Sequence, residues 1–194
     1  DLYRALDLGF SQLRVRTEEQ GEEEGGKRPQ SRLETIHALS DAPHGNEAEV
    51  SFPLTWESAG TQKIVALSGP LALALDNGLT LFADELDARL HPKLTEYLIG
   101  LFQSKETNPK SAQLIFVTHD TNLLDARRFR RVQIWFVEKD RDGDSRLYSL
   151  AEFRGLRKDR DFEQDYLTGK FGALPFLSPL AAPVPDLETS DAPR

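Results

Sequence analysis

Two short apolar segments, each followed by polar residues and separated by a helical segment, constrain the fold of this chain most. Leu79–Ala83 is apolar and leads directly into Asp84 and Glu85. Ala112–Asp120 has the composition of a buried strand that ends in polar residues. Between them, Pro92–Ser104 shows the periodicity of an amphipathic helix. This order predicts a βαβ unit with two parallel strands.

The flanking segments extend the α/β pattern. A small antiparallel sheet is predicted by three strand-like segments, Gln12–Arg16, Arg32–Leu39 and Ala48–Leu54. Glu57–Gly78 predicts a long apolar helix that bends at Gly69-Pro70 and ends at Asn77-Gly78. Val132–Asp140 predicts another strand of the parallel sheet. The predicted fold class is therefore α/β, with a mainly parallel sheet flanked by helices and a small antiparallel region.

Composition suggests three parts along the chain. Residues 1–56 are expected to hold the antiparallel strands and a mobile acidic loop at 17–30. Residues 57–177 contain the alternating helices and strands. Residues 178–194 are rich in proline and poor in other apolar residues, which predicts a disordered tail.

The composition also excludes several classes of function. The absence of cysteine rules out disulfides, thiolate metal sites and cysteine nucleophiles. A net charge of -8 argues against a protein whose whole surface binds polyanions. No apolar run reaches the roughly 18 residues of a membrane span, so we expect a cytoplasmic protein without a membrane partner. The chain lacks methionine and starts at Asp1, so we expect a fragment or a processed piece.

The polar residues at the strand ends suit a nucleotide hydrolase. Asp84 can hold Mg²⁺, usually through water, and Glu85 can polarise the attacking water. His119 can donate to the γ-phosphate and to that water. The alternative is structural: Asp84 caps the following helix, and His119 is a strand-end residue with satisfied hydrogen bonds.

Three motifs resemble those of ABC-type ATPases. "LFADELDARLHP" resembles the Walker B segment, catalytic glutamate and D-loop, and "LIFVTHD" resembles the switch-histidine strand. "ESAGTQKIVAL" resembles the signature motif of AAA-labelled ATP-binding proteins from the abortive-infection and restriction-linked branch of phage defence. Residues 1–177 are similar to the C-terminal half of such a domain. The resemblance implies ATP and Mg²⁺ as ligands.

The resemblance also implies an assembly. In ABC-type ATPases the signature loop closes over the nucleotide of the other subunit, so Ser58, Gly60 and Gln62 are implied to contact phosphate across a homodimer. A helix N-terminus favours phosphate there, although an ordinary N-cap is the alternative. Asp87 and His91 are implied to lie in the D-loop that couples the two sites. An effector nuclease or a nucleic acid is a further expected partner.

A phosphate-binding P-loop is not found in the sequence. Gly21–Lys27 has the spacing of one, but Arg28 stands where a Ser or Thr is needed for Mg²⁺, and no apolar strand precedes it. We therefore expect the P-loop to lie upstream in a larger ATPase, and this chain alone to be inactive.

Two other functions remain open. One is a truncated or degenerate ATPase that binds a partner or DNA without hydrolysis, and the other is a Toprim-like nuclease that uses Asp84 and Glu85. An ATPase that binds DNA without hydrolysis would give a role to the basic segments 126–131 and 153–160, which could contact nucleic-acid phosphates. Solvated faces balanced by nearby acids are the alternative reading of those segments. Intact Glu85 and His119 favour the ATPase.

Overall fold

A computed structural model of the protein describes residues 6, 8–18, 30–39, 48–140, 142–156 and 160–175. Two units are formed, residues 1–120 and 121–194. The strands are β1 Gln12–Glu18, β2 Gln30–Leu39, β3 Ala48–Pro53, β4 Thr80–Ala83, β5 Gln113–Phe116, β6 Trp135–Lys139 and β7 Ser145–Ser149. The helices are α1 Ala59–Asn77, α2 Pro92–Gln103 and α3 Phe162–Leu167. The predicted tail at 178–194 and most of the predicted loop at 17–30 lie outside the described residues.

The predicted antiparallel sheet is confirmed. Its strands lie in the order β1-β2-β3, and both pairings are antiparallel. Ile36 of β2 pairs with Gln12 of β1 and with Ser51 of β3, and its side chain is buried. Burial does not alternate along β2, because the consecutive residues Glu34, Thr35 and Ile36 are all buried.

Helix α1 begins and ends where the sequence predicts. Ser58 is its N-cap, and Gly78 ends it with a left-handed φ of 68°. The helix continues through Pro70, whose missing N–H leaves the Ala66 carbonyl without its usual partner; both residues are exposed, so water can supply the donor. Within the described ranges, neither α1 nor any other helix is long and apolar enough to cross a membrane.

The predicted βαβ unit is confirmed, but its second strand is not buried. Strands β4 and β5 are parallel neighbours, with Phe82 opposite Ile115. Phe82 is 73% exposed and Ile115 is 49% exposed. The prediction of a buried strand over Ala112–Asp120 is therefore wrong, because the strand covers only Gln113–Phe116 and one face of the pair is open in the described part of the chain.

Strand β6 does not join the parallel sheet, so the prediction for Val132–Asp140 is wrong. It pairs antiparallel with β7, and Val137 lies opposite Leu147. The physical reason is the turn between them, where the Asp140 carboxylate accepts from the amides of Asp142 and Asp144. A local hairpin closes a much shorter loop than a long-range parallel pairing. Among the described strands, the sheets are therefore not mainly parallel.

The second unit has its own aromatic core. Its buried cluster contains Ile134, Phe136, Tyr148, Leu150, Phe162 and Phe171. The Tyr148 hydroxyl donates to the Phe171 carbonyl at 2.6 Å, and burial raises the pKa of Tyr148. Beside this core, the Asp165 carboxylate accepts from Arg160 at 2.7 Å and from Lys170 at 3.2 Å. The hydrogen bond from Arg160 is the main reason why the pKa of Asp165 is lowered.

Candidate functional site

The polar residues after β4 and β5 leave the sheet at the same edge. Ala83 pairs with Phe116 at the carboxyl ends of the two strands. Beyond these ends the Val117 amide donates to the Ala83 carbonyl at 3.0 Å, and the Leu86 amide donates to the Val117 carbonyl at 3.0 Å. Asp84-Glu85 and Thr118-His119 thus follow directly from paired backbone at one edge, where open parallel sheets bind ligands.

Three candidate side chains are exposed at this edge. Asp84, Glu85 and His119 are all exposed, and within the described residues their side chains have no hydrogen-bond or ion-pair partner. Asp84 does not cap the next helix, because the N-cap of α2 is His91. The structural alternative for Asp84 is thus excluded. His119 is not held as a satisfied strand-end residue either.

A direct metal cage is not present in the described part of the chain, where no three His, Asp or Glu side chains are grouped to hold an ion. This fits the donor chemistry of Mg²⁺, which keeps several waters and takes one or two carboxylates together with substrate phosphates. Asp84 can supply one such oxygen from an exposed position.

The backbone of Glu85 is held in an unusual conformation. Its φ is 47°, in the left-handed region that costs a residue with a Cβ about 1 kcal/mol or more. Its carbonyl accepts from the Ala88 amide at 3.0 Å and from the Lys63 ammonium at 2.5 Å. Leu86, which is 1% exposed, anchors the loop 84–91 in the core. The main chain of Glu85, and with it the direction of its Cα–Cβ bond, is thus held by these contacts.

Lys63 is a residue that the sequence interpretation missed. It lies on α1, and its ammonium donates to the carbonyls of Glu85 and Ala88, the latter at 2.9 Å. Main-chain acceptors leave no trace in the sequence. The only available signal was its position, one residue after Gln62 of the predicted signature segment.

The signature segment forms the start of α1. The Ser58 hydroxyl accepts from the Thr61 amide at 3.1 Å, so Ser58 is the N-cap. The Gln62 side-chain Nε2 donates to the Glu57 carbonyl at 2.8 Å. A Cβ atom at Gly60 would lie 2.8 Å from the Arg89 carbonyl oxygen, so glycine lets the loop 84–91 approach the helix. The N-cap reading of Ser58 is confirmed as a structural role, and the contact with phosphate stays a prediction.

A part-buried polar cluster joins the antiparallel sheet to this segment, and it also escaped sequence interpretation. The Glu57 carboxylate accepts from the Thr35 hydroxyl at 2.6 Å and lies 2.8 Å from His37 Nε2. Thr35 is fully buried, and the Phe52 ring meets the His37 ring edge-on. Because Glu57 directly precedes the N-cap, β2 fixes the backbone from which α1 starts. In the sequence, Thr35 and His37 are alternate polar residues of a predicted strand, and this pattern gave no indication that either would contact Glu57.

The two predicted D-loop residues lie in and after the tight turns of the loop. Oδ1 of Asp87 is buried and has no hydrogen-bond partner among the described residues. Nδ1 of His91 accepts from the Lys93 amide at 3.2 Å, as an N-cap of α2. Their roles in coupling two sites stay predictions.

The basic segments are only partly described. In the first, Arg127 and Arg128 both pair with Asp125, at 3.0 Å and 3.9 Å. The hydrogen bond from Arg127 lowers the pKa of Asp125. These pairs support the interpretation of the first segment as a solvated face whose charge is balanced by a nearby acid. Three of the eight residues of the second segment, 157–159, lie outside the described residues.

The βαβ unit and its strand-end acids define a domain of the α/β class. Residues 14–125 match a family described as "AAA domain, putative AbiEii toxin, Type IV TA system". The match covers more than half of the 194 residues, and the chain belongs to this family of AAA domains. The comparison with curated proteins gives no match. Membership confirms the resemblance at the level of an AAA domain, a nucleotide-binding, ATPase-like class with a P-loop type of α/β fold.

Proposed function

We propose that this chain is the signature- and Walker B-bearing half of an ABC-type ATPase domain, which binds and hydrolyses ATP in bacterial anti-phage defence. The observation that carries the proposal is the common edge at which Asp84, Glu85 and His119 leave two paired parallel strands. Their unpartnered, exposed side chains are available to a ligand.

The three side chains divide the chemistry between them. Asp84 would hold Mg²⁺, which would supply positive charge beside the triphosphate. Glu85 accepts a proton from the water that attacks the γ-phosphorus. His119 donates to the γ-phosphate. Exposure at a strand end suits all three roles, because the nucleotide and its partner subunit would supply the missing contacts and exclude solvent.

The site is completed by a second copy of the protein in a head-to-tail homodimer. Ser58, Gly60 and Gln62 would meet the phosphates held by the other subunit, where the amides of Ala59 and Gly60 have no intrahelical acceptor. Asp87, in the loop 84–91, would lie in the D-loop that couples the two sites. His91 would lie in the same D-loop.

The phosphate-binding loop must come from chain outside these 194 residues. The Gly21–Lys27 string, which lies outside the described residues, has the wrong chemistry at Arg28 and in its three glutamates. Activity should therefore be measured in a protein that carries a P-loop together with this chain.

The test is Glu85→Gln in that protein. The amide keeps the size of the carboxylate but cannot accept the proton, so ATP turnover should fall by about 10²–10⁴ while nucleotide affinity is retained. Steady-state phosphate release and calorimetry with Mg-ATP measure the two quantities. Glu106→Gln, at another exposed glutamate of the same unit, should leave both unchanged.

Turnover at the parent rate in Glu85→Gln would show that another group activates the water. A parent protein that binds ATP but releases no phosphate would instead favour the non-enzymatic alternative, a degenerate ATPase that binds a partner.

A further inference from the structure

The Lys63 ammonium is the only group on α1, within the described residues, that donates side-chain hydrogen bonds to the loop 84–91. It lies 2.5 Å from the Glu85 carbonyl oxygen and 2.9 Å from the Ala88 carbonyl oxygen. These two oxygens flank the tight turn in which the Ala88 amide donates to Glu85. The ammonium therefore spans the turn and fixes both of its ends.

The chemistry of the contact favours a cation. Two carbonyl oxygens that converge on one point suit a donor with several N–H groups, and the lysine ammonium has three. Hydrogen bonds from a charged donor are stronger than those between neutral groups. Such bonds can hold Glu85 at a φ of 47°, which its side chain otherwise disfavours.

We propose that Lys63 is a positioning residue for hydrolysis: it fixes the main chain of Glu85, and so the point and direction from which its side chain starts, relative to the first turns of α1. This inference rests on the proposed function of Glu85 as the group that activates water. It assigns Lys63 no contact with ATP or with the attacking water.

The position of Lys63 on α1 has a second consequence. The start of the same helix carries Ser58 and Gly60, which in the proposed dimer meet the nucleotide of the other subunit. A shift of α1 on closure would be transmitted through the ammonium to Glu85 of its own subunit. Lys63 thus links the nucleotide that a subunit contacts across the dimer to the nucleotide that it hydrolyses itself.

The first test compares Lys63→Met and Lys63→Arg in the protein that carries the P-loop. Methionine keeps the length of the side chain without the donors, and we expect kcat to fall by about 10- to 100-fold, since small misplacements of a catalytic group have effects of this size. ATP affinity should change less than twofold. Arginine keeps the charge and should recover part of kcat. Lys93→Met removes a lysine that is 76% exposed and should change neither quantity.

The second test does not depend on hydrolysis. Hydrogen–deuterium exchange of the peptide that covers residues 84–91 should be faster in Lys63→Met than in the parent, while exchange of α2 is unchanged. The 194 residues contain no cysteine, so Lys63→Cys adds the only thiol in this part of the protein. Alkylation with bromoethylamine then restores an ammonium at nearly the same length. It should recover both slow exchange and kcat, whereas alkylation of a Lys93→Cys control should alter neither.

Each outcome supports or overturns the link. Unchanged exchange in Lys63→Met would overturn it, and so would faster exchange with an unchanged kcat. A parent without ATP turnover would overturn the proposed function, and exchange alone would then decide whether Lys63 holds the loop. If Lys63→Met does not fold, the alkylated and unalkylated Lys63→Cys proteins give the same comparison.

Discussion

The close approach of the loop 84–91 to α1 makes Gly60→Ala a sharp test of the site's packing. The new Cβ atom would lie 2.8 Å from the Arg89 carbonyl oxygen, closer than carbon and oxygen atoms pack. The oxygen belongs to the main chain, and Arg89 has a left-handed φ of 64°. The overlap therefore cannot be relieved by turning a flexible side chain, and either the helix or the loop must move.

Two opposing effects set the size of the change. Alanine is favoured over glycine inside a helix by up to about 1 kcal/mol, and less near its start. Overpacking against backbone typically destabilises by about 1–3 kcal/mol. We expect Gly60→Ala to lower the free energy of unfolding by about 1–2 kcal/mol.

Gly100→Ala on α2, in the same unit, is the matched control. Outside its own stretch of helix, a Cβ atom there meets nothing within 4 Å, so the helix preference acts alone and stability should rise by about 0.5–1 kcal/mol. The two variants make the same chemical change and should move stability in opposite directions.

The assay is urea unfolding of the unit that holds both glycines. The protein has two tryptophans, Trp56 and Trp135. In a Trp135→Phe background the fluorescence reports from Trp56, in the same unit as Gly60. If Gly60→Ala were as stable as the parent, the loop would not pack against α1 as described. ATP turnover should also fall in Gly60→Ala, because Glu85 lies in the displaced loop.

Two other changes test contacts away from the strand ends. Glu57→Ala removes the acceptor of the buried Thr35 hydroxyl and of His37, and should lower the free energy of unfolding by about 1–3 kcal/mol; an unchanged urea midpoint would contradict this. Asp165→Asn tests the carboxylate whose pKa Arg160 lowers. A lowered folded pKa stabilises the folded state above the unfolded value of about 3.9, and this contribution is lost as the pH falls through the folded pKa. Asp165→Asn should therefore be less stable than the parent at neutral pH, and the deficit should shrink as the pH falls through the folded pKa; a deficit that does not change as the pH falls would show that the charge is not responsible.

Local signals in the sequence predicted much of the fold. Ser58 and Gly78 mark the ends of α1, because a capping hydroxyl and a left-handed glycine act within one helical turn. The pattern of apolar run, helix and apolar run predicted the parallel pair β4–β5, and with it the common edge of Asp84, Glu85 and His119.

Contacts between elements that are distant in sequence were harder to predict. The apolar content of β5 gave no indication that Ile115 would be half exposed, because hydrophobicity does not say which element covers a strand. The pairing of β6 depended on a competition between a local hairpin and a distant sheet, and the turn after Asp140 decided it. Glu57 and Lys63 make contacts whose partners are distant in sequence, and for Lys63 they are main-chain atoms.

Because Lys63 donates to main-chain oxygens, its contact affects which positions of this part of the sequence can be substituted. Every amino acid presents the same carbonyl oxygen at positions 85 and 88, so a substitution at Ala88 leaves its acceptor in place. The contact therefore restricts the side chain at one position only, to a long cation at 63. Related sequences that keep the contact should vary at position 88 independently of position 63. Covariation between pairs of positions would not reveal the contact, even where it is under strong selection.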